Sequence, residues 1–399
     1  MAILPTRIHE AISGDALSYT NAAGNILRSF FYSQDGVTPF VEREPGQSVF
    51  LYVIYLFFGN QNYIAAYFMQ SFMFFCSALV FFHAIRRTVH ERARLLMLGL
   101  LFLYPSIFHI NYALTRESLA LSSLLLLFSA FLALVDRPTL KLAATLGGLL
   151  GFIILTYAPF ILLPLPLIAL LFWYKCPTKT ILRACTTCAL VLLPWGMRNF
   201  LLRGRPCLTG CTRSAVTWYV RGEQAKTIHG IEPLRCLYAE YVSRDWRGRS
   251  PNCSFNGIMN RKWPKGFTGL DADLAIGNEG KRAILSHFGS YLWFSLFEIL
   301  ELHLPYVNGW GTIYNALASI STVFVYIGSL LGLPYFFRRI YTPLMALIAI
   351  VLGYTIGVFI LTDATPRYLM PVIFCYLLCA GVGYDAFLTQ VSTWRKSAS

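Results

Sequence analysis

Apolar residues fill most of this chain in long blocks, separated by short polar connections in which arginine recurs. A helix needs roughly twenty apolar residues to cross a bilayer, and shorter ones are tolerated inside a bundle. The pattern predicts nine crossings: Tyr63 to Ala84, Leu95 to Asn111, Ser118 to Val135, Leu142 to Ala158, Phe160 to Tyr174, Ile181 to Trp195, Ala316 to Phe336, Pro343 to Leu361 and Tyr368 to Asp385. Two stretches near the start do not qualify. Ala16, Tyr19, Ala23, Ile26, Leu27 and Phe30 recur at three and four residues, a helical stripe that suits the membrane surface. Val49 to Phe58 is apolar but too short to cross, and it dips into the interface or joins the next span at an angle. Late in the chain, His287 to Leu304 is rich in Tyr, Trp, Phe and Leu with Glu298 and Glu301 embedded, and reads as an interfacial helix. The fold class is therefore all-α: a polytopic helical membrane protein with about nine spans, interfacial helices and an extracytoplasmic loop region.

Composition agrees, with 56% of the 399 residues hydrophobic and 13% charged, and a mean hydropathy of +0.56, outside the range of soluble domains. The formal charge of +14 does not point to nucleic acid, because its arginines and lysines lie between apolar runs and in one long loop. They set topology instead. Arg86, Arg87, Arg92 and Arg94, then Arg137 and Lys141, then Lys175, Lys179 and Arg183, then Arg338 and Arg339, and finally Arg395 and Lys396 fall on alternate connections, which the positive-inside rule makes cytoplasmic. The outer face then holds the Asp15 region, Thr115-Arg116-Glu117, the long loop after Arg198, and Asp363 to Arg367. The chain divides into an outer-face region (1–61), a transmembrane bundle (62–198), a basic loop (199–286), an interfacial helix with the last spans (287–386) and a cytoplasmic tail (387–399). This topology leaves the N-terminus outside, so a further span is expected upstream of Met1; Met1 to Glu10 carries no signal-peptide pattern. The loop Asn199 to Ser286 has 14 Lys and Arg against 7 Asp and Glu, and long loops escape the charge rule. It also holds Cys207, Cys211, Cys236 and Cys253, an even number that allows one or two disulfides in an oxidising compartment. Cys185 and Cys188 have CxxC spacing but lie in an apolar run, as buried free thiols do.

Acids are scarce, and the first of them stand out. Asp15 falls in the first turn of the surface helix, where free amides and the helix dipole favour its ionised form. Glu44 follows in a loop, within reach of Arg43 or Arg28. Arg116, Arg198 and Arg367 each lie at the outer end of a span, where a guanidinium grips phosphate oxygens at two points or simply snorkels to the interface.

The order of short motifs adds a resemblance. Gly14-Asp15-Ala16 with Tyr19, then Arg43-Glu44-Pro45-Gly46 ahead of Leu56-Phe57-Phe58-Gly59, then Tyr104-Pro105 and Leu114-Thr115-Arg116-Glu117, then Leu155-Thr156-Tyr157-Ala158-Pro159, Pro194-Trp195-Gly196-Met197-Arg198-Asn199 and Pro366-Arg367-Tyr368-Leu369-Met370-Pro371 together resemble the GT-C membrane glycosyltransferases. The likeness is to the branch that uses polyprenyl-phosphate-linked sugars, protein mannosyltransferase-like and aminoarabinose transferase-like. Two features depart from it. The span before the catalytic aspartate is missing, and Tyr157 stands where a basic residue is often seen.

The resemblance implies an inverting transfer of a sugar from a polyprenyl-phosphate carrier to an envelope glycan, lipid or protein at the outer face of a bacterial inner membrane. Phosphate is a good leaving group, so one carboxylate and a set of cations suffice, without the second acid a glycosidase needs. Asp15 matches the base. Glu44 either orients the acceptor or helps Asp15 hold a divalent cation, and no other cofactor is implied. Arg367 is the best match for the phosphate, then Arg198, then Arg116. The expected partners are the lipid-linked donor, membrane lipid and the acceptor, with no nucleic acid. Two rivals remain open. An O-antigen ligase-like transferase would lean on loop residues such as Arg282 and His287. A transporter or lipid flippase would place ionisable residues near the bilayer midplane, whereas here charges gather at span ends.

Overall fold

A computed structural model of the chain describes residues 14–41, 43–204, 207–208, 213–228, 230, 270–305, 312–339, 341–362 and 365–398. Among these residues the regular structure is helical throughout. In chain order the helices are α1 (Asp15–Ser29), α2 (Gly46–Phe58), α3 (Tyr63–Ala84), α4 (Glu91–Leu103), α5 (Pro105–Tyr112), α6 (Arg116–Asp136), α7 (Leu140–Thr156), α8 (Pro164–Trp173), α9 (Thr178–Arg203), α10 (Arg213–Thr227), α11 (Leu270–Ser286), α12 (Phe288–Leu302), α13 (Thr312–Arg338), α14 (Pro343–Thr362), α15 (Pro366–Leu369) and α16 (Ile373–Ala398).

Six helices are long and apolar enough to cross a membrane, and two further pairs pass the same test only as bent units. One expected span, Leu95 to Asn111, is such a unit: α4 and α5 meet at 50°. Pro105 is the cause, since it offers no N–H to the helix and pushes the residue before it into extended backbone; Tyr104 has φ −73° and ψ 113°. The expected crossing at Phe160 to Tyr174 is likewise divided, into a 3-10 turn at Ala158–Leu162 and the ten-residue α8, with Pro159, Pro164 and Pro166 supplying the breaks. The interfacial reading of His287 to Leu304 corresponds to α12, which turns by 97° from the helix before it.

α6 is the hub. It is apolar all round, as an enclosed helix must be, and it buries Leu119, Leu121, Leu124, Phe128, Phe131 and Leu134. Phe81 of α3 and Phe374 of α16 close edge-on against Phe128, with centroids 6.0 and 4.8 Å away. Around this hub α3, α7 and α14 pack against α6, α9 packs on α7, and α13 packs on α16.

The two ends of the bundle differ. At one end lie the basic connections, tied together by Arg87 to Asp136 at 2.9 Å, Arg92 to Asp385 at 3.7 Å, and the Tyr335 hydroxyl donating to the Thr88 carbonyl at 3.0 Å. The first turn of α6 stands at the other end, together with α1 and α15. Cys207, just past α9 at that same end, is disulfide-bonded, while Cys76, Cys176, Cys185, Cys188, Cys375 and Cys379 are free. Cys211, Cys236 and Cys253 lie outside the described residues.

Candidate active site

Four short segments converge at the end of the bundle opposite the basic connections. The first is the start of α1. Gly14 caps this helix at φ 56° and ψ −119°, a conformation open to glycine and strained for other residues, and so delivers Asp15 into the first turn. The second is the loop from α1 to α2. Asn25 donates to the Ser33 carbonyl at 2.9 Å, and the Tyr32 hydroxyl donates to the Glu44 carbonyl at 3.2 Å, which fixes the loop end carrying Arg43 and Glu44. The third is the turn into α6. Gln47 donates to Gln70 and to the Leu114 carbonyl at 3.0 and 3.1 Å, holding the turn before Arg116 and Glu117 from below. The fourth is α15, one turn long, which Pro366 opens and which carries Arg367.

These segments assemble six charges into one alternating row. Arg43 Nη2 lies 2.5 Å from Asp15 Oδ1, and Arg367 Nη2 lies 3.0 Å from Asp15 Oδ2. Arg367 Nε reaches Glu117 Oε1 at 3.2 Å. Glu117 Oε1 is 3.9 Å from Arg116 Nε, and Arg116 Nη1 donates to Glu44 Oε2 at 2.6 Å. Three guanidiniums and three carboxylates balance, which is how such a density of charge survives burial. The row is graded. Arg43, Asp15 and Arg367 keep 16, 21 and 23% of their side-chain surface, whereas Glu117, Arg116 and Glu44 keep 1, 5 and 4%. One half of the row is thus open to a ligand and the other half is enclosed.

Aromatic rings line the row. Tyr157 lies beneath Arg116, its centroid 4.9 Å from the guanidinium carbon, and Tyr19 lies 5.7 Å from that of Arg43, both within cation–π range. Burial pushes the Tyr19 phenol up to about 12, so it remains a neutral O–H. Arg43 Nη1, Arg116 Nε and the hydroxyls of Tyr19 and Tyr157 are buried with no hydrogen-bond partner. Glu117 Oε1 in the same row also lacks a hydrogen bond; the guanidinium N–H groups and phenol hydroxyls among these orphans can donate to an anion. Glu44 is turned to Arg116 and away from Asp15, and among the described residues no three His, Cys, Asp or Glu side chains form a group that could hold a metal ion.

Of the residues singled out in the sequence, Asp15, Glu44, Arg116 and Arg367 meet in the row. Glu44 pairs with Arg116, and not with its neighbour Arg43 or with Arg28, which bonds to Asn25. Arg198 stands outside the row. Its guanidinium stacks on Trp195 and Tyr32, 4.5 and 5.3 Å from the ring centroids, and it donates to Asn199 and to the Tyr32 carbonyl. Sequence reasoning missed Arg43, read only as a possible partner for Glu44, and undervalued Glu117, read as neutralising Arg116 alone. It also treated Tyr157 as a lost cation, where its ring serves as the seat of Arg116.

No protein-family model and no curated protein matches the sequence. Solved structures do match in shape. The oligosaccharyltransferase of Archaeoglobus fulgidus in its apo form gives a TM-score of 0.57 at 12% identity, over 97% of this chain and 48% of that one. The same archaeal enzyme, AglB, in complex with an inhibitory peptide and a dolichol-phosphate gives 0.55 at 12% identity, over 96% and 47%. ArnT of Cupriavidus metallidurans bound to undecaprenyl phosphate matches at 0.40 and 15% identity, over 96% and 77%. The chain thus spans about half the length of the archaeal enzyme it matches. At such identities the likeness is one of fold: the chain shares the membrane fold of the archaeal oligosaccharyltransferase.

Proposed function

We propose that this chain is an inverting glycosyltransferase that moves a sugar from a polyprenyl-phosphate carrier to an acceptor hydroxyl at the outer face of the membrane. The observation that carries this reading is the sharing of one accessible carboxylate, Asp15, between two accessible guanidiniums, Arg43 and Arg367. A phosphate entering here meets both arginines, and the orphaned Arg43 N–H and Tyr19 hydroxyl complete its cradle. As the phosphate takes the guanidiniums, Asp15 loses its ion-pair partners and is released to act as the base. It then accepts the proton of the acceptor hydroxyl while the acceptor oxygen attacks the anomeric carbon. The bond from that carbon to the phosphate oxygen breaks, and the polyprenyl phosphate leaves with an added negative charge on the arginines. Positioned charge in a site largely closed to water supplies the stabilisation. Glu117 and the Glu44–Arg116 pair hold Arg367 and the loop in place.

Archaeal AglB has been captured with a dolichol-phosphate and a peptide, which supports a lipid-phosphate donor and leaves protein, glycan and lipid acceptors as candidates for this chain. A bacterial inner membrane with the site toward the periplasm fits the charge asymmetry of the connections. The test is transfer of radiolabelled sugar from a panel of polyprenyl-phosphate sugars into membrane extract, with the intact chain, Asp15→Asn and Arg367→Ala at matched expression. Asp15→Asn keeps the shape and removes the base, and a loss of about 10²- to 10⁴-fold is expected. Transfer at the unsubstituted rate by Asp15→Asn would overturn the assignment of the base.

A further inference from the structure

The largest fully buried side chain among the described residues is a charged one, Arg221 of α10. It is 2% exposed, and its partner Glu298 of α12, 5% exposed, lies 2.5 Å away. The guanidinium packs against the rings of Phe294 and Tyr291, 4.8 and 5.5 Å from their centroids, and donates to Gln224 and Ser295 at 3.2 and 3.1 Å. A buried ion pair is a poor way to gain stability, since apolar side chains of the same volume serve as well or better. What an apolar residue cannot do is donate to a helix end. Arg221 Nη2 donates to the Ile360 carbonyl at 2.7 Å, and the Tyr291 hydroxyl donates to the Leu361 carbonyl at 2.7 Å. These carbonyls lie in the last turn of α14, where intrahelical donors run out. Arg367 follows five residues after α14 ends at Thr362, and α12 packs directly on the α15 turn that carries it.

We propose that Arg221, its charge balanced by Glu298, is a positioning residue that fixes the end of α14 and through it the placement of Arg367 for the lipid phosphate. The proposal rests on the functional reading above. It also gives the outer loop a task, because α10 is clamped to α11 by a glycine contact: a Cβ on Gly222 would stand 2.6 Å from the Gly280 carbonyl oxygen. Whatever shifts this helix pair shifts Arg221, and with it the phosphate site.

The test uses the full chain in lipid nanodiscs, with Arg221→Met, Arg221→Lys and Tyr291→Phe, the last removing one hydroxyl and no charge. Hydrogen exchange is read at residues 357–362 and 367–372, and undecaprenyl phosphate binding is titrated in parallel. Expected are faster exchange in those two segments with α3 and α6 unchanged, and binding weakened roughly threefold to tenfold, the scale of one lost hydrogen bond, with partial recovery in Arg221→Lys. In an Arg367→Ala background the same substitutions should change binding less than about twofold, because the group they position is gone. Unchanged exchange in both segments for Tyr291→Phe and Arg221→Met overturns the proposal, and so does an undiminished binding loss in the Arg367→Ala background. Failure of the unsubstituted chain to bind undecaprenyl phosphate overturns the functional reading instead, and the exchange data still decide whether Arg221 anchors the segment.

Discussion

Asp15 and Glu44 are both acids beside arginines, yet their surroundings differ, and the proposed mechanism gives them different tasks. Asp15 sits at the accessible edge between Arg43 and Arg367, and Glu44 is enclosed with Arg116. Substituting Arg43 or Arg367 should therefore act on the ligand: Arg43→Ala is expected to weaken undecaprenyl phosphate binding by about 10-fold or more, the scale of a lost charge-assisted hydrogen bond, with little change in melting temperature. Glu44→Gln should act on the fold. It strips a buried guanidinium of its nearest carboxylate, a loss of about 3 kcal/mol, and the double variant Glu44→Gln/Arg116→Met should recover part of that by removing the stranded charge. Thermal unfolding of the three variants in one detergent checks this, and a double variant less stable than Glu44→Gln would contradict it. Asp15, Glu44, Arg116 and Arg367 could be singled out from the sequence because they stand at or just before helix starts that the apolar pattern marks, whereas Arg43 and Glu117 read only as partners of their neighbours. The pairing within the row could not be read there. Asp15 and Arg367 are 352 residues apart, and no local pattern says which of three arginines a carboxylate meets. Nor does the motif around Arg198 reveal that its side chain turns to Trp195 and Tyr32.

Elements are where the sequence speaks most clearly, because bilayer thickness fixes how long an apolar run must be. α3 begins and ends where the pattern puts it, at Tyr63 and Ala84. The differences arise where proline acts within an apolar run, at Pro105 and through Pro159 to Pro166, since hydrophobicity alone does not register a missing N–H. The start of α2 shows what close packing demands. Gly46, two residues after Glu44, abuts α7: an added Cβ would overlap the Thr156 hydroxyl and stand 2.8 Å from the Leu155 carbonyl oxygen. Gly46→Ala should cost roughly 1–3 kcal/mol by overpacking and lower activity by moving Glu44, and normal stability with normal transfer would show that the contact yields. The loop before α2 has its own pH dependence. Asp35 accepts from Thr38 Oγ1 and N, Val37 N and Ser33 Oγ, and these bonds hold its carboxyl well below the usual carboxylate range. Its contribution to loop order is thus complete above about pH 4, the unfolded value, and fades as pH falls through the lower folded one. Exchange at residues 36–40, corrected for the intrinsic rate, should stay protected from pH 7 down to about 4 and should be fast in Asp35→Ala at every pH.

Across the whole molecule, charge is sorted by end and by kind. One end carries arginines and lysines in short connections, several of them widely exposed, such as Arg137 at 78%. The other end carries the balanced row and the oxidised Cys207. An excess of positive charge in short connections marks the cytoplasmic side, and disulfides persist in oxidising compartments, so two unrelated lines of reasoning support the proposal that the row faces outward. In the proposed mechanism the orientation decides which leaflet would present the donor phosphate to Arg43 and Arg367. Val37, 79% exposed in the loop that carries Arg43 and Glu44, and Arg137 at the other end are natural reporters. In intact cells Val37→Cys should react with a membrane-impermeant maleimide above the level of the unsubstituted chain, and Arg137→Cys should react only after permeabilisation. The reverse pattern would put the row in the cytoplasm, where the donor would have to be presented from the inner leaflet, and the outer-face mechanism would fail even if Asp15 proved to be the base.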